Sequence, residues 1–322
     1  MKLTTLRGAI AAVLLGIAAS AAAQNYPAGP IRIIVPFPAG GGVDTAGRLL
    51  GVKLSEAIGR PVLVDNRAGA NGMIGSEMVA KAPKDGYTLM VNGANFVTSP
   101  TLYAKSLYDP IKDFDAISLL AHAPNILVVH PSMPVKNVRE LIAFAKARPG
   151  EVLFAGSGSG STPHLAGELF KTQTGTKMVH VPYRGTGPAI TAILSGEVGS
   201  MFMPALTALP LIQSGRVRAL GVTSLERLPA LPELPTVSES GLKGYQSSQW
   251  YGVLAPAGTS PEILNLLNGQ TVKIMQSADM KERMKNSGSV AVGSSREVFA
   301  KFLQTEYSKW AQVIKASGAT VD

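Results

Sequence analysis

The sequence predicts an exported α/β protein of two lobes, each a mostly parallel sheet with helices on its faces, and a ligand cleft between them. Three observations predict it. Short apolar runs alternate with helical stretches from residue 31 to residue 222, the pattern of parallel sheets covered by helices. Two apolar segments, 119–131 and 249–256, run longer than one strand needs and end in proline. After residue 255 the pattern turns wholly helical.

The elements follow in order. Strands are predicted at 31–35, 62–65, 87–92, 126–130, 152–155, 178–181, 200–203, 217–222 and 251–255. Helices are predicted at 44–58, 73–82, 138–147, 163–174, 188–195, 206–214, 261–277, 279–286 and 296–316. The last helix opens with a capping box from Ser294 to Glu297. Its apolar face reads Val298, Phe302, Leu303, Trp310, Val313 and Ile314, near the 3.6 period. If segments 119–131 and 249–256 carry the chain between lobes, the first lobe is discontinuous. It then combines 25–124 with 250–322, and the second lobe is 125–249.

Composition narrows the class. A chain of 322 residues suits two α/β domains. With 46% hydrophobic and 16% charged residues it has the balance of a folded chain, not a disordered one. There is no cysteine, which excludes disulfides, thiolate metal sites and thiol catalysis. The formal net charge is +9, two of the positive charges coming from Lys2 and Arg7. That excess favours anionic partners or simply makes a basic, solvated surface. Lys and Arg are scattered with no arm or stripe, which argues against nucleic acid.

Residues 1–23 read as a Sec signal peptide. Lys2 and Arg7 form its positive region, 8–20 its apolar region, and Ala21-Ala22-Ala23 a small-residue cleavage site before Gln24. The apolar run is short for a bilayer span, and no cysteine follows for lipid attachment. The expected location is periplasmic.

Three loops share one design. Phe37 to Gly42, with Ala39, Gly40 and Gly41, follows a strand and leads to Asp44. Gly156 to Thr162, with Ser157, Gly158, Ser159 and Ser161, leads to Pro163, with Thr162 as the expected N-cap. The third loop, Tyr183-Arg184-Gly185, leads to Pro188 at another helix start. Each delivers backbone N–H groups and a positive helix end to the carboxyl edge of a sheet, where ligands of such sheets sit. The common target is an anion. None is a nucleotide motif: the third glycine of G-x-G-x-x-G is missing and no Gly-Lys pair exists. Asp44 either simply complements its helix dipole, or holds the loop's N–H groups or receives a ligand amine. Arg184 either pairs with a ligand carboxylate or faces solvent.

Ser161 and His164 raise a Ser–His hydrolase as an alternative. No G-x-S-x-G elbow is present, and positions this close in sequence rarely give nucleophile–base geometry. His122, His130, His164 and His180 are too dispersed for a zinc motif. No metal or cofactor is implied, and His164 reads as a neutral donor lining the cleft. Trp250 and Trp310 read as core or hinge packing.

The ordered motifs Ile31-Arg32-Ile33-Ile34-Val35-Pro36-Phe37, Val64-Asp65-Asn66-Arg67-Ala68-Gly69, Asp85-Gly86-Tyr87-Thr88-Leu89, Gly158-Ser159-Gly160-Ser161, His180-Val181-Pro182-Tyr183-Arg184-Gly185 and Ala255-Pro256-Ala257-Gly258-Thr259 span most of the chain. On them the chain resembles the Bug (TctC-like) solute receptors of tripartite tricarboxylate transporters. The resemblance implies a type II periplasmic-binding-protein fold and a small carboxylate ligand: a citrate-like acid, dicarboxylate, acidic amino acid or aromatic acid. It implies the membrane subunits of such a transporter as partners, or alternatively a sensor kinase, and a monomeric receptor without catalysis. It places one ligand carboxylate on Ala39, Gly40, Gly41 and Asp44 and on Ser157, Ser159, Ser161, Thr162 and His164. Specificity falls near Asn95, Tyr183, Arg184, Met203 and Pro204. Gly199 departs from the family, which usually carries an acidic residue there.

Overall fold

The computed structural model describes residues 26–158, 160–183, 185–286 and 288–318. The expected leader at 1–23, Ser159 and Arg184 lie outside the described residues.

The first half of the chain runs β1 (Ile31–Val35), α1 (Gly42–Ile58), β2 (Val62–Asn66), a 3-10 turn (Ala70–Gly72), α2 (Met73–Ala80), β3 (Thr88–Gly93), α3 (Asn95–Leu102) and β4 (Phe114–Val129). It continues with α4 (Val138–Ala147), β5 (Leu153–Gly156), α5 (Thr162–Thr174), β6 (Val179–Pro182), α6 (Thr186–Ser195), β7 (Ser200–Pro204), α7 (Ala205–Gln213) and β8 (Arg218–Val222). The last elements are β9 (Ser248–Pro256), α8 (Pro261–Gln276), α9 (Ala278–Asn286), β10 (Val290–Ala291) and α10 (Arg296–Ser317).

β4 organises the molecule. From Phe114 to Pro124 it lies antiparallel to β9, ending with Pro124 opposite Ser248. From Asn125 onward it lies antiparallel to β7 and β8, with Asn125 opposite Pro204. One strand thus serves two sheets, and its partners change at Pro124, a residue with no N–H to give a ladder. The first sheet extends through β9 and β3 to the parallel strands β1 and β2, and β10 closes its other edge. The second extends through β7 to the parallel strands β5 and β6. The chain passes back beside the switch. Thr223 N–H donates to Asn125 O, Ser247 N–H donates to Thr223 O, and β9 begins at the next residue. Alternation of strand and helix predicts the parallel edges. The antiparallel centre arises because β4 and β9 come from distant parts of the chain.

Helix α3 was absent from the sequence-based reading because Pro100 interrupts it. Proline removes the bond that would reach Phe96 O four residues back. The Tyr108 hydroxyl donates to that carbonyl instead, at 2.7 Å. Phe96, Tyr108 and Phe114 then form an aromatic cluster in the core.

Two expectations shift by one residue. The buried face of α10 is Phe299, Leu303, Glu306, Trp310, Val313 and Ile314, whereas Val298 is 58% exposed. Phe299 packs edge-on against Trp250, so the helix is rotated from the predicted stripe. Glu306 is tolerated in that core because Trp310 Nε1–H donates to it at 2.8 Å and Lys309 pairs with it. The N-cap of α10 is Ser295, not Ser294. Ser294 Oγ is occupied elsewhere, accepting from Leu119 N–H of β4 at 3.1 Å.

Candidate ligand-binding cleft

The loop between β1 and α1 exposes Ala39, Gly40 and Gly41 to solvent. Gly41 is the N-cap residue and no side chain caps the helix start. The first amides of a helix have no partner within it and so remain available to an anion. Asp44 is only 3% exposed and holds the loop from behind. Its Oδ2 accepts from Gly40 N–H at 2.8 Å and Arg48 Nε–H at 3.0 Å, and its Oδ1 from Asn66 Nδ2–H at 2.9 Å. Gly40 takes φ 88, a conformation glycine adopts freely. Burial alone would raise the Asp44 carboxyl; the bonds from Arg48, Gly40 and Asn66 and the Arg48 charge outweigh it and hold the group below the usual carboxylate range. Asn66 also donates to Phe37 O, tying β2 to the same turn. Phe37 is half-buried against Gly72.

The second loop connects β5 to α5. Its N-cap is Ser161, whose Oγ accepts from His164 N–H; Thr162 is the first helical residue. This corrects the expected cap by one position. Thr162 is drawn away because its Oγ1 donates to Gln249 Oε1 of β9 at 3.0 Å. His164 is buried beneath the loop, and its Nδ1 accepts from Gly160 N–H at 2.9 Å. The ring stacks on His180 with centroids 3.8 Å apart, and its Nε2 lies 3.7 Å from Glu168. Burial above all, with His180 and Lys171 adding to it, pushes His164 down to about 3. His180 falls to about 4, through burial and then Lys171. His164 is therefore a neutral acceptor that shapes the loop, rather than the donor the sequence suggested. Neither ring nitrogen is engaged with Ser161 Oγ.

The third loop, between β6 and α6, lies beside the second: Tyr183 N–H donates to Gly156 O at 2.9 Å. Gly185 caps α6 with φ 109, and the helix begins at Thr186, two residues ahead of Pro188. The Tyr183 hydroxyl turns to Glu197, donating at 2.7 Å; burial first, then this carboxylate, pushes the phenol up to about 12.

The first and second loops meet over β9. Gln249 and Tyr251 project from the same face of that strand. Gln249 receives Thr162 of the second loop, and its Nε2 lies against Gly93. The Tyr251 hydroxyl lies against Gly42 of the first loop. A cavity of about 150 Å³ opens there, lined by Gly40, Gly42, Thr45, Tyr251 and, from the start of α7, Leu206. Beyond it, Ala94, Asn95 and Thr98 of the α3 region face Gly160 and Thr162 across a narrow gap. Asn95 Nδ2–H donates to Asn71 Oδ1 at 2.7 Å. Asn71 and Ala70 are consecutive non-glycine residues with positive φ, a strained turn at the cleft wall.

Not every expected residue joins this group. Met203 lies in the core of the second sheet opposite Ile126, with no exposed surface. Pro204, the next residue, is half-buried and starts the turn that presents Leu206. Gly199 lies away from the cleft against Met133. Gln249, Tyr251, Leu206 and Asn71 were missed. The alternation of Gln249 and Tyr251 on a segment already marked as a crossing was the available signal. Larger cavities, of about 340 and 520 Å³, lie elsewhere, around Leu228 and Val290.

No helix among the described residues is long and apolar enough to cross a membrane. A family model described as "Tripartite tricarboxylate transporter family receptor" matches residues 47–319. Protein BugT of Bordetella pertussis is 38% identical over 306 residues, 94% of this chain and 94% of its own length. Two solved structures are similar throughout. Rpa4515 of R. palustris, with adipate, has a TM-score of 0.77 at 35% identity, covering 92% of this chain and 99% of that one. MatC (Rpa3494) from Rhodopseudomonas palustris, with bound malate, has a TM-score of 0.73 at 30% identity, covering 90% of this chain and 100% of that one.

Proposed function

Because this chain belongs to the tripartite tricarboxylate transporter receptor family, a family of solute-binding proteins rather than enzymes, we propose that it captures a small carboxylate in the periplasm and delivers it to the membrane subunits of such a transporter. The two lobes are 25–124 with 250–322, and 125–249. They turn about the strand pair at Pro124 and Ser248, and closure brings the three loops onto the ligand.

One observation carries this reading: the glycine-containing helix starts of the two sheets approach one face of β9, the first loop at Tyr251 and the second at Gln249. Backbone amides at Ala39 and Gly41 and the hydroxyl of Ser157 supply neutral donors to one carboxylate, the Gly40 amide and the Thr162 hydroxyl being engaged by Asp44 and Gln249. Asp44 and His164 hold those donors in place without touching the ligand. Asn95, Tyr183 and Pro204 lie where the remainder of the acid is read. The adipate and malate named for the two similar structures support a di-acid or related ligand.

A thermal-shift screen of carboxylates tests the proposal. A fitting acid at one hundred times its Kd stabilises the fold by about 2.7 kcal/mol. Gly41→Val sets an isopropyl group over the exposed amides in open space, with no atom nearer than 3.9 Å to its Cβ. It is expected to abolish the shift while lowering the unliganded melting temperature only by the few degrees that an apolar N-cap costs. Hits dominated by sugars or cations, or a shift that survives Gly41→Val, would overturn the assignment.

A further inference from the structure

The cavity of about 150 Å³ at the start of α1 has two ends of different chemistry. One end is polar: Gly40 and Gly42 with the hydroxyls of Thr45 and Tyr251. The other is apolar: Ala46 and Leu49 on α1, Met284 of α9, and Leu206 from the second lobe. The order follows the helix. Thr45 and Leu49 are four residues apart, about 6 Å at the helical rise of ~1.5 Å per residue, and side chains at that spacing share a face. The polar end therefore lies at the helix start and the apolar end one turn further along. Among the described residues no charged side chain lines the cavity, so the wall offers an acid neutral donors.

Tyr251 is placed to be one of them. A Cβ added at Gly42 would fall within the envelope of its hydroxyl oxygen, so glycine is what lets the phenol reach the helix start. The hydroxyl has no hydrogen-bond partner among the described residues, yet unlike Nε1 of the neighbouring Trp250 it is not sealed in the core. Burial pushes the phenol up to about 12, so it keeps its proton at neutral pH and can donate. Leu206 comes from the opposite side. It is 54% exposed, and α7 rests on the first lobe there: a Cβ added at Gly288 would fall 2.7 Å from Leu206 N. That contact between lobes sets Leu206 against the cavity.

We propose that Tyr251 and Leu206 select the acid. The Tyr251 hydroxyl donates to the carboxylate at the start of α1, and Leu206 closes with Leu49 and Met284 on a hydrocarbon body of about four carbons, the span of one helical turn. The inference rests on the carboxylate reading above and narrows it. Acids with an unsubstituted body are favoured. A hydroxyl or a second carboxylate on carbon 3 sets a polar group against the leucines, which is costly. The second acid group of adipate lies past such a body, whereas that of malate lies within it.

Calorimetric titration of the full chain with propanoate, butanoate and pentanoate tests both roles separately. Kd is expected to fall about fourfold for each added methylene, the ordinary gain for burying one, and 3-hydroxybutanoate is expected to bind at least tenfold more weakly than butanoate. Tyr251→Phe is expected to raise Kd about tenfold for every acid and to leave the gain per methylene unchanged, because the carboxylate is common to the series. Leu206→Ala, a change at an exposed residue, is expected to do the reverse: little effect on propanoate and a gain below twofold per methylene. A Kd independent of chain length, or a Tyr251→Phe protein that binds each acid as wild type does, overturns the inference and leaves the carboxylate reading standing. Failure of the whole series, and of adipate and malate, to bind overturns both.

Discussion

Gly42 is where the first loop, its helix and the hinge strand touch, and changing it tests that contact directly. A Cβ added at Gly42 falls within the envelope of the Tyr251 hydroxyl oxygen and only 3.0 Å from Cζ and 3.4 Å from Cε1. Alanine favours a helix over glycine by about 1 kcal/mol in an interior position, and less at the first residue. Forcing an extra carbon into packed surroundings costs about 1–3 kcal/mol. Gly42→Ala is therefore expected to destabilise the protein by about 1–2 kcal/mol. Tyr251 is the natural partner for a cycle, because its hydroxyl makes no hydrogen bond within the described residues and burial pushes it up to about 12. Tyr251→Phe alone is expected to be nearly neutral. In the double variant the nearest atom becomes Cζ, a contact short by only a few tenths of an ångström, so at least half of the loss is expected to return. Urea unfolding of the four proteins reads the coupling, expected within the roughly 0.5–3 kcal/mol found between touching residues. Additive effects, or Gly42→Ala stable in both backgrounds, would refute the contact and with it the placement of the first loop over β9.

Three further outcomes follow from the same geometry. Asp44→Asn replaces acceptors with an amide among three donors and is expected to cost about 1.5–3 kcal/mol at pH 7; because the native carboxyl lies below its usual range, that stabilisation is full above about pH 4 and fades below it, so variant and wild-type urea midpoints should converge in acid. His164 and His180 protonate only near 3 and 4 in the folded chain, so the unfolded chain, titrating near 6.5, binds more protons as pH falls. Stability should therefore drop between pH 6.5 and 4 by up to about 1.4 kcal/mol per pH unit for each histidine, and His180→Gln should flatten the profile by about one proton; a pH-independent midpoint in wild type would contradict the buried neutral pair. On α10, Phe299→Ala is expected to cost about 3–5 kcal/mol and Val298→Ala less than about 0.5, which calorimetry of the two variants separates.

Much of the fold is legible from local pattern. Strand 31–35 and helix 138–147 match the structure to the residue, because apolar period and an adjacent cap signal agree there. The long β4 was only partly read. A strand buried along nearly its whole length shows no alternation, and Pro124 within it resembles an end. Helix α3 was missed because the hydroxyl that compensates Pro100 belongs to Tyr108, outside the helix.

The loops repeat this division at the scale of single atoms. Composition and motif order determined that the chain folds as α/β, that glycine-containing turns precede its helices, and which family it joins. They did not determine which of two neighbouring hydroxyls caps a helix, because Ser161 and Thr162, or Ser294 and Ser295, are locally equivalent acceptors. Tertiary structure decided it: β9 takes Thr162 through Gln249, β4 takes Ser294 through Leu119, and the remaining serine of each pair turns to its helix. The approach of the first loop to Tyr251 and of the second to Gln249 was decided in the same way, by strand pairing between segments more than a hundred residues apart, which no local window contains.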